Sequence, residues 1–263
     1  MNTLSTEPVC TRQEMMSIAA SRMLSSDDVC LVGIGAPSVA CNLARLTHAP
    51  GIRLIYESGT IDTKPQVLPL SVGDGELCDT ALVTVSLPEI FRYWLQAGRV
   101  TVGFLGAAQI DRYANLNTTV IGDYATPAVR LPGAGEAPEI AHGCRRSFII
   151  IEMSPRRFVE ELSFVTTFGF GRGGNHRQEL GIHTEGPVAV ITDLCILRPD
   201  PVTRELVVTS LHPGVSREDV QQACGWPIRF ADDLTQTPPP TELEVNTLRE
   251  LQQRTRKAHE KEH

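Results

Sequence analysis

The sequence predicts an α/β protein with an open, mostly parallel sheet that is flanked by helices, and with antiparallel strands added in its C-terminal half. Two observations carry this prediction. Before Gly106, short apolar runs alternate with segments of helical periodicity, which is typical of a parallel sheet covered by helices. Beyond Gly106, strand-like runs follow one another with fewer helices between them, which favours antiparallel additions to the same sheet.

The first elements follow from capping and turn signals. Thr11 and Glu14 form a capping-box pattern and should open a helix that runs to about Leu24. The apolar residues 29–32 then predict a buried strand. Gly33-Ile34-Gly35 turns the chain into a second helix, with Pro37 in its first turn. This is a strand, a glycine turn and a helix.

The remaining elements follow from the same periodicities. A long segment rich in Gly, Pro and Asp, residues 58–79, is expected to be a functional loop. Further strands are predicted at residues 52–56, 81–85, 100–105, 118–121, 147–153, 164–167, 188–192 and 206–209. Helices are predicted at residues 88–97, where Gly98 closes the helix, and at residues 154–162 and 216–224.

No linker or internal repeat divides the 263 residues, so we expect one domain over residues 1–263. Its compact core should span about residues 11–236. Three consecutive prolines, residues 238–240, end this core. We expect residues 237–263 to form a loosely packed C-terminal helix and a charged, frayed tail from Arg254 onward.

Composition excludes several classes of protein. A net charge of −7 and the absence of a basic block argue against a nucleic-acid partner. No apolar stretch approaches the length of a membrane span, and the N-terminus lacks the pattern of a signal peptide. The seven cysteines are widely spaced without a Cys-x-x-Cys pair, and the histidines are scattered. We therefore expect reduced thiols, a cytoplasmic protein, no metal site and no tightly bound cofactor.

The segment Leu54-Ile55-Tyr56-Glu57-Ser58-Gly59 carries the best candidate for chemistry. Three apolar residues lead to a single carboxylate, and a glycine follows. In an open α/β sheet, ligands bind beyond the carboxyl ends of the strands. Glu57 at such an end is a candidate catalytic group, although an ordinary turn carboxylate that faces water would show the same pattern.

Three glycine-bearing turns follow apolar runs, and turns of this type can direct backbone N–H groups at an oxyanion. The first contains Gly33 and Gly35, the second runs from Gly103 to Gln109, and the third ends at Gly135. Each can also be a simple tight connection. A dinucleotide fingerprint is weakly supported in the first turn, because Ser38 stands where the third glycine would be.

A rival motif is the glycine-rich, basic segment of residues 169–177. It can bind phosphate, or it can be a mobile surface loop. No Gly-x-Ser-x-Gly elbow supports Ser-His-Asp catalysis.

Taken together and in order, several motifs resemble the β (B-type) subunits of family I coenzyme A transferases over nearly the whole chain. They are Val32-Gly33-Ile34-Gly35-Ala36-Pro37-Ser38, Tyr56-Glu57-Ser58-Gly59, Gly73-Asp74-Gly75-Glu76, Phe91-Arg92-Tyr93-Trp94-Leu95-Gln96, Gly106-Ala107-Ala108-Gln109-Ile110-Asp111, Asn115-Leu116-Asn117-Thr118-Thr119, Leu131-Pro132-Gly133-Ala134-Gly135 and Ser210-Leu211-His212-Pro213-Gly214-Val215.

The resemblance implies a fold of the CoA-transferase type, an α-type partner in a heterotetramer, and a coenzyme A thioester as substrate. It implies that Glu57, which occupies the Glu-x-Gly motif, is the nucleophile. Coenzyme A would move from succinyl-CoA to a 3-oxo dicarboxylic acid such as 3-oxoadipate, through a glutamyl-CoA thioester, in the degradation of aromatic compounds. Gln109 matches the Gly-Ala-x-Gln element of the family and is expected either to hold the acyl group or to fix a loop.

One position departs from the family pattern. Relatives commonly place a second glycine after the one that matches Gly135, and here that residue is Glu136. Its side chain would crowd the coenzyme A channel or add a carboxylate beside the candidate oxyanion loop. Two other functions stay open: a CoA-ester hydrolase or ring-cleaving relative of the same fold, and a non-catalytic subunit that serves as a scaffold.

Overall fold

A computed structural model describes residues 10–260 of the chain. Within that range the helices are α1 (Arg12–Ser21), α2 (Ala36–Leu46), α3 (Gly75–Asp79), α4 (Leu87–Glu89), α5 (Ala137–Gly143), α6 (His176–Glu179), α7 (Arg217–Gln222) and α8 (Glu242–His259). The strands are β1 (Val29–Leu31), β2 (Arg53–Ile55), β3 (Thr60–Ile61), β4 (Val83–Thr84), β5 (Val102–Leu105), β6 (Gln109–Ile110), β7 (Leu116–Asn117), β8 (Val120–Ile121), β9 (Val129–Arg130), β10 (Arg146–Ile150), β11 (Gly186–Ile191), β12 (Cys195–Pro199), β13 (Leu206–Leu211) and β14 (Arg229–Gln236).

Ten of these strands form one sheet in the order β14-β13-β12-β11-β10-β5-β1-β2-β3-β4. Its centre, from β11 to β2, is entirely parallel. Strands β12 and β13 add antiparallel pairings on one side, and β14 returns parallel to β13. This is the α/β architecture that the sequence predicts, with antiparallel strands from the C-terminal half of the chain.

The other edge differs from the prediction. Strands β3 and β4 also pair antiparallel, so the N-terminal half contributes antiparallel strands too. The predicted loop of residues 58–79 contains β3 and the short helix α3, which Asp74 caps by accepting a hydrogen bond from the Glu76 N–H. Elements as short as two residues cannot be recognised in a segment rich in Gly, Pro and Asp, because two side chains are too few to show a periodicity.

Three further predictions need correction. Residues 154–162 form no helix, because the Val159 N–H donates to the Ile110 carbonyl and draws this segment toward β6. Residues 164–167 make only an isolated bridge between Thr167 and Leu116. After α4 the chain winds as a π-helix over Ile90–Leu95, although an ordinary helix was predicted there. Gly98 does end this region, with a positive φ of 69°.

Apolar side chains fill both faces of the central strands, as expected for a sheet covered on both sides. Along β1, Val29 and Leu31 point into one core together with Ile140 of α5. Cys30 points into the opposite core, where it joins Met15 of α1 and Ala40 of α2. The sheet is therefore buried on both faces, and its strand ends are the places left for a ligand.

The C-terminal helix packs firmly, which corrects the expectation of loose packing. Leu248 and Leu251 of α8 are fully buried, and Leu248 contacts the apolar cluster around Ile18 and Leu43. The helix also continues to His259, beyond the point at Arg254 where the sequence predicts a frayed tail. The apolar spacing of α8 fixes its contact with α1 and α2, and the charged residues of its last turns lie on the remaining faces.

Three observations concern membrane spans, cysteines and metal binding. Among residues 10–260, no helix combines the length and the apolar character needed to cross a membrane. All seven cysteines are free thiols. Within the same range no group of three or more His, Cys, Asp or Glu side chains is arranged to hold a metal ion.

Candidate active site

The parallel centre of the sheet brings three candidate segments to one edge. Strands β1, β2 and β5 run in the same direction and are neighbours in the sheet. The Gly33–Gly35 turn follows β1, Glu57 follows β2, and Gly106 follows β5. Because all three leave parallel strands at the carboxyl end, they lie on the same side of the molecule.

A tight turn presents Glu57 at the end of β2. Tyr56, directly before it, is fully buried and shares a 2.7 Å hydrogen bond with the Ser38 hydroxyl in the first turn of α2. Directly after the turn, Gly59 has a φ of 108°, and its N–H donates to the Tyr56 carbonyl at 3.0 Å. A Cβ atom at position 59 would collide with the Val85 carbonyl oxygen. The turn therefore needs glycine, and its geometry holds Glu57 in place from both sides.

Glu57 itself is half-buried. Burial raises the pKa of its carboxyl group above the ordinary value, and the charge of Glu136 and a hydrogen bond with Glu136 raise this pKa further. Glu136, the residue directly before α5, is therefore close enough to the end of β2 for its charge to act on Glu57. The sequence predicts a carboxylate near the candidate oxyanion loop at Glu136, but not its pairing with Glu57. A pair of acids distant in the sequence leaves no local pattern.

The loop before α5 lines a cavity of about 450 Å³ together with residues 106–108 and Thr118. The Gly133 N–H donates to the Thr118 carbonyl at 2.8 Å, which anchors the loop to the segment between β7 and β8. Gly133 and Gly135 both have positive φ, of 102° and 51°. The Gly135 N–H makes no hydrogen bond within residues 10–260. It is thus available to a ligand in this cavity, as an oxyanion donor must be.

The other predicted site residues are placed as follows. Gly35 is exposed, has a φ of 84° and stands at the N-cap of α2, while Gly33 leads into the same turn. Gln109 is buried, and its Oε1 accepts hydrogen bonds from the Asn117 amide at 2.7 Å and from the Ser163 N–H at 3.3 Å. These bonds favour the interpretation of Gln109 as a residue that fixes a loop.

The glycine-rich segment of residues 169–177 is tied down at both ends. Asn115 accepts hydrogen bonds from the N–H groups of Gly169 and Gly171 through its Oδ1. Arg177 is only 3% exposed and donates to the carbonyl oxygens of Gly169 and Ala141 and to the Thr184 hydroxyl. Its guanidinium group is used within the fold, which favours a structural role over a phosphate-binding one.

Sequence reasoning also did not predict that Ser38 supports the site. Ser38 is 1% exposed, and its hydroxyl meets the Tyr56 hydroxyl under the turn that carries Glu57. Burial raises the pKa of Tyr56, so this phenol stays neutral and serves as a hydrogen-bonding strut. The only signal in the sequence was a small polar residue where a glycine would complete a dinucleotide fingerprint.

This arrangement has the parts that acyl transfer needs. A half-buried carboxylate stands at the end of β2, the loop before α5 has an unused N–H group at Gly135, and this loop lines a cavity. A carboxylate can act as a nucleophile on an activated acyl group and form a covalent intermediate.

Comparison with known proteins relates this chain to a family. The coenzyme A transferase family matches residues 13–223. The chain is 59% identical to the B subunit of 3-oxoadipate CoA-transferase from Pseudomonas knackmussii, over 94% of this chain and 95% of that protein. It is 26% identical to the cholesterol ring-cleaving hydrolase IpdB subunit of Mycobacterium tuberculosis, over 91% and 93% of the two chains.

The fold has a close counterpart among solved structures. The crystal structure of glutaconate coenzyme A-transferase from Acidaminococcus fermentans superposes with a TM-score of 0.86 and 30% sequence identity, covering 92% of this chain and 94% of that one. The family match, the sequence identity and the superposition each extend over most of the chain and agree with one another. The chain belongs to the coenzyme A transferase family.

Proposed function

We propose that this chain is the β (B-type) subunit of a CoA-transferase that moves coenzyme A from succinyl-CoA to 3-oxoadipate, with Glu57 as the nucleophile. The observation that carries the proposal is the placement of Glu57, half-buried at the carboxyl end of β2, where the charge of Glu136, the residue after Gly135, acts on it. The identity of 59% with the B subunit of a 3-oxoadipate CoA-transferase supports the substrate assignment.

The reaction proceeds through two activated acyl groups. The ionised carboxylate of Glu57 attacks the thioester carbonyl carbon of succinyl-CoA, the C–S bond breaks, and a mixed anhydride and the coenzyme A thiolate form. The thiolate then attacks the γ-carboxyl carbon of Glu57, which releases succinate and leaves a glutamyl-CoA thioester. The carboxylate of 3-oxoadipate enters, and the same two steps run in reverse to give 3-oxoadipyl-CoA and free Glu57.

Residues of this chain hold the nucleophile in place during these steps and offer a hydrogen-bond donor to the oxyanion. The buried Tyr56 and the turn at Gly59 fix the nucleophile, so little conformational freedom is lost when the substrate binds. The unused N–H group of Gly135 can donate to the oxyanion of the tetrahedral intermediate, an interaction worth about 3 kcal/mol in other acyl-transfer sites. Water must be excluded while the anhydride exists, because hydrolysis would end the cycle.

A partner of the α type would complete this site. The cavity beside Gly135 is open on the surface of the chain, and two of its lining residues, Leu131 and Pro132, are apolar. We propose a heterotetramer of α and β subunits, with the active site where the two kinds of chain meet. We also propose a cytoplasmic location, which suits seven free thiols, and a role in aromatic-compound degradation.

Covalent trapping tests the proposal. The chain, co-expressed with its α-type partner, is incubated with succinyl-CoA and no acceptor acid, and then with borohydride. We expect coenzyme A to be held covalently, the thioester at Glu57 to be reduced, and activity to be lost. Mass spectrometry should locate the change on the peptide that contains Glu57, and Glu57→Ala should give no adduct. An adduct on another glutamate, or none in a complex that still transfers coenzyme A, would contradict the proposal.

A hydrolase is the second candidate, and the similarity to a ring-cleaving hydrolase is the observation that favours it. In that case water, and not a second acid, would consume the CoA ester. The two functions are separated by measuring free coenzyme A and new CoA ester with and without an acceptor acid. A transferase makes the new ester only when the acceptor is present, whereas a hydrolase releases coenzyme A without one. A chain that serves only as a scaffold would keep full activity in the complex after Glu57→Ala.

A further inference from the structure

Another cavity lies at the opposite end of the sheet from Glu57. It has a volume of about 460 Å³, and residues near the start of β11 and the end of β12 line it. Gly186 begins β11 and pairs in register with Arg146, which begins β10. Glu57 instead follows the last residue of β2. Because β10, β11 and β2 run parallel, this cavity stands at the amino ends of the strands, away from the candidate active site.

Positive charge dominates the lining of this cavity. Arg177, Arg198 and Arg204 line it together with His183. Within residues 10–260, none of these three arginines forms an ion pair with a carboxylate. Arginines on a protein surface commonly find such a partner, and here three that share one cavity have none.

The single acid among the described lining residues is already paired. Oε1 of Glu185 accepts a hydrogen bond from Nε of Arg145 at 3.2 Å, and Arg145 does not line the cavity. Three guanidinium charges therefore remain around one cavity without a carboxylate partner. Like charges in one cavity repel each other, and a bound anion would remove this repulsion. The lining thus fits an anionic ligand.

A buried aromatic ring holds two of the arginines. Phe170 is 3% exposed, and the guanidinium carbons of Arg177 and Arg204 lie 6.0 and 5.6 Å from the centroid of its ring. Contacts of this kind attract a cation to the face of the ring and so restrict its position. The third arginine, Arg198, is exposed, and its Nη1 donates to the Val188 carbonyl at 3.4 Å. The guanidinium groups are therefore arranged by the fold.

Arg177 contributes charge to the cavity and does not need to contact the ligand. Its Nη atoms donate hydrogen bonds within the fold, and its buried Nε has no hydrogen-bond partner in the described part of the chain. Burial lowers the pKa of Arg177 to about 10, so the side chain is still charged at neutral pH. It places a positive charge at the buried wall of the cavity. The donors of Arg198 and Arg204 are left for a ligand.

We propose that this cavity binds the phosphate group of a small molecule through the guanidinium groups of Arg198 and Arg204, with Arg177 adding its charge from the buried wall. A phosphate group carries up to two negative charges and several acceptor oxygens, which guanidinium forks match with paired hydrogen bonds. The volume also has room for a diphosphate. The glycine-rich segment of residues 169–177 then supports phosphate binding by supplying Phe170 and Arg177 to the cavity. This inference does not depend on the role of Glu57.

Inorganic pyrophosphate is the probe, and calorimetric titration of the two-subunit complex in a phosphate-free buffer of low ionic strength measures its binding. We expect saturable binding, and we expect Arg198→Gln and Arg204→Gln each to raise the dissociation constant by about tenfold, because each removes a charged hydrogen-bond donor. Thermal melts show whether each variant folds. Arg198 is exposed, so Arg198→Gln tests the inference even if the loss of the Arg204 contact with Phe170 impairs folding.

Arg172→Gln is the matched control, because it removes an exposed arginine of the same glycine-rich segment that does not line the cavity. It should leave the affinity for pyrophosphate unchanged. Malonate, a dicarboxylate, should bind more weakly than pyrophosphate, and equal affinity would overturn the assignment to phosphate. Absence of pyrophosphate binding would overturn the inference. So would binding that Arg198→Gln and Arg204→Gln leave unchanged, since the pyrophosphate would then lie elsewhere, for example at the active site.

Discussion

Two glutamates show what opposite surroundings do to the same side chain. Glu57 faces another acid, and its pKa is raised by burial and by Glu136. Glu244, in the first turn of α8, is also buried, but Arg22 contacts it through two hydrogen bonds of 2.6 and 2.7 Å. Burial alone would raise the pKa of Glu244, yet the bonds from Arg22 and Thr241 hold that pKa at about 2.

The difference separates a stabilising carboxylate from the proposed nucleophile. The Glu244 carboxylate accepts hydrogen bonds from the Arg22 guanidinium group and from the Thr241 N–H. These bonds compensate its charge and hold α8 against the end of α1. Glu57 has an acid as its neighbour, so its negative charge is poorly compensated. A carboxylate with little compensation is a better nucleophile, and functional sites commonly sacrifice stability in this way.

The largest expected effect is on catalysis. Glu57→Ala should lower coenzyme A exchange by several orders of magnitude, because the variant lacks the carboxylate that forms the covalent intermediate in the proposed mechanism. The fold should be unaffected, since the side chain is only half-buried at a turn. Exchange assays with the two-subunit complex and thermal melts of the variant measure the two quantities. Residual exchange above a few per cent would contradict the assignment of Glu57 as the nucleophile, and with it the functional difference between Glu57 and Glu244.

A backbone change should disturb the reactive carboxylate without altering either acid. In Gly59→Ala the new methyl group meets the Val85 carbonyl oxygen, and the residue has a φ of 108° that alanine rarely adopts. We expect a loss of stability of about 2 kcal/mol or more and a loss of exchange of about 100-fold, because Glu57 is displaced. Urea unfolding and steady-state kinetics report these effects. A control is Gly75→Ala, where no atom lies near the new methyl group.

Breaking the other pair should affect stability alone. Arg22→Met leaves the Glu244 charge without its main partner and should reduce the free energy of unfolding by about 2 kcal/mol. The part of the loss that comes from Glu244 should be present above pH 4.5 and disappear as the pH falls toward 2, because the pKa of Glu244 in the folded protein is lowered to about 2 from an ordinary 4.5. The part that comes from the hydrogen bonds of Arg22 to the Pro238 and Pro239 carbonyl oxygens should remain. Unfolding curves at several pH values test this, and unchanged exchange activity at neutral pH is the control.

The smallest effect has the opposite sign. Glu57→Gln removes a charge that the folded state disfavours, so it should stabilise the protein at neutral pH by less than about 1 kcal/mol. A raised pKa means that the folded chain binds the proton more readily than the unfolded chain. The stabilisation should therefore vanish as the pH falls below the ordinary value of 4.5 for a glutamate. A destabilised Glu57→Gln at pH 7 would contradict the picture of an uncompensated charge.

The sequence predicted most of what local patterns can encode. Apolar runs at residues 29–32 and 52–56 gave β1 and β2, and their parallel pairing placed Glu57 at a strand end. Capping boxes at Thr11 and Ser216 gave α1 and α7. These succeeded because a buried strand and a capped helix leave their signal within a few consecutive residues.

The failures concern contacts between distant segments. Strand β14 has no buried residue, so its apolar period is weak, and pairing with β13 makes it a strand. Residues 154–162 look helical, but the hydrogen bond from Val159 to Ile110 decides otherwise. The effect of Glu136 on the pKa of Glu57 joins residues far apart in the sequence. Tertiary structure determines each of these three features, and no short stretch of the sequence contains the information needed to predict them.

Gly103 in β5 shows how far such a determinant can act. Helix α5 touches the strand there with nothing between the two backbones but the Ile140 and Cys144 side chains. An added methyl group would lift the helix, and with it Glu136 at the helix start. A variant at this core position would then show only a mild folding defect in stability measurements, although the pH optimum of its activity would also shift. Genetic screens that score only protein abundance would miss such alleles, and screens that score growth at different acidities would find them.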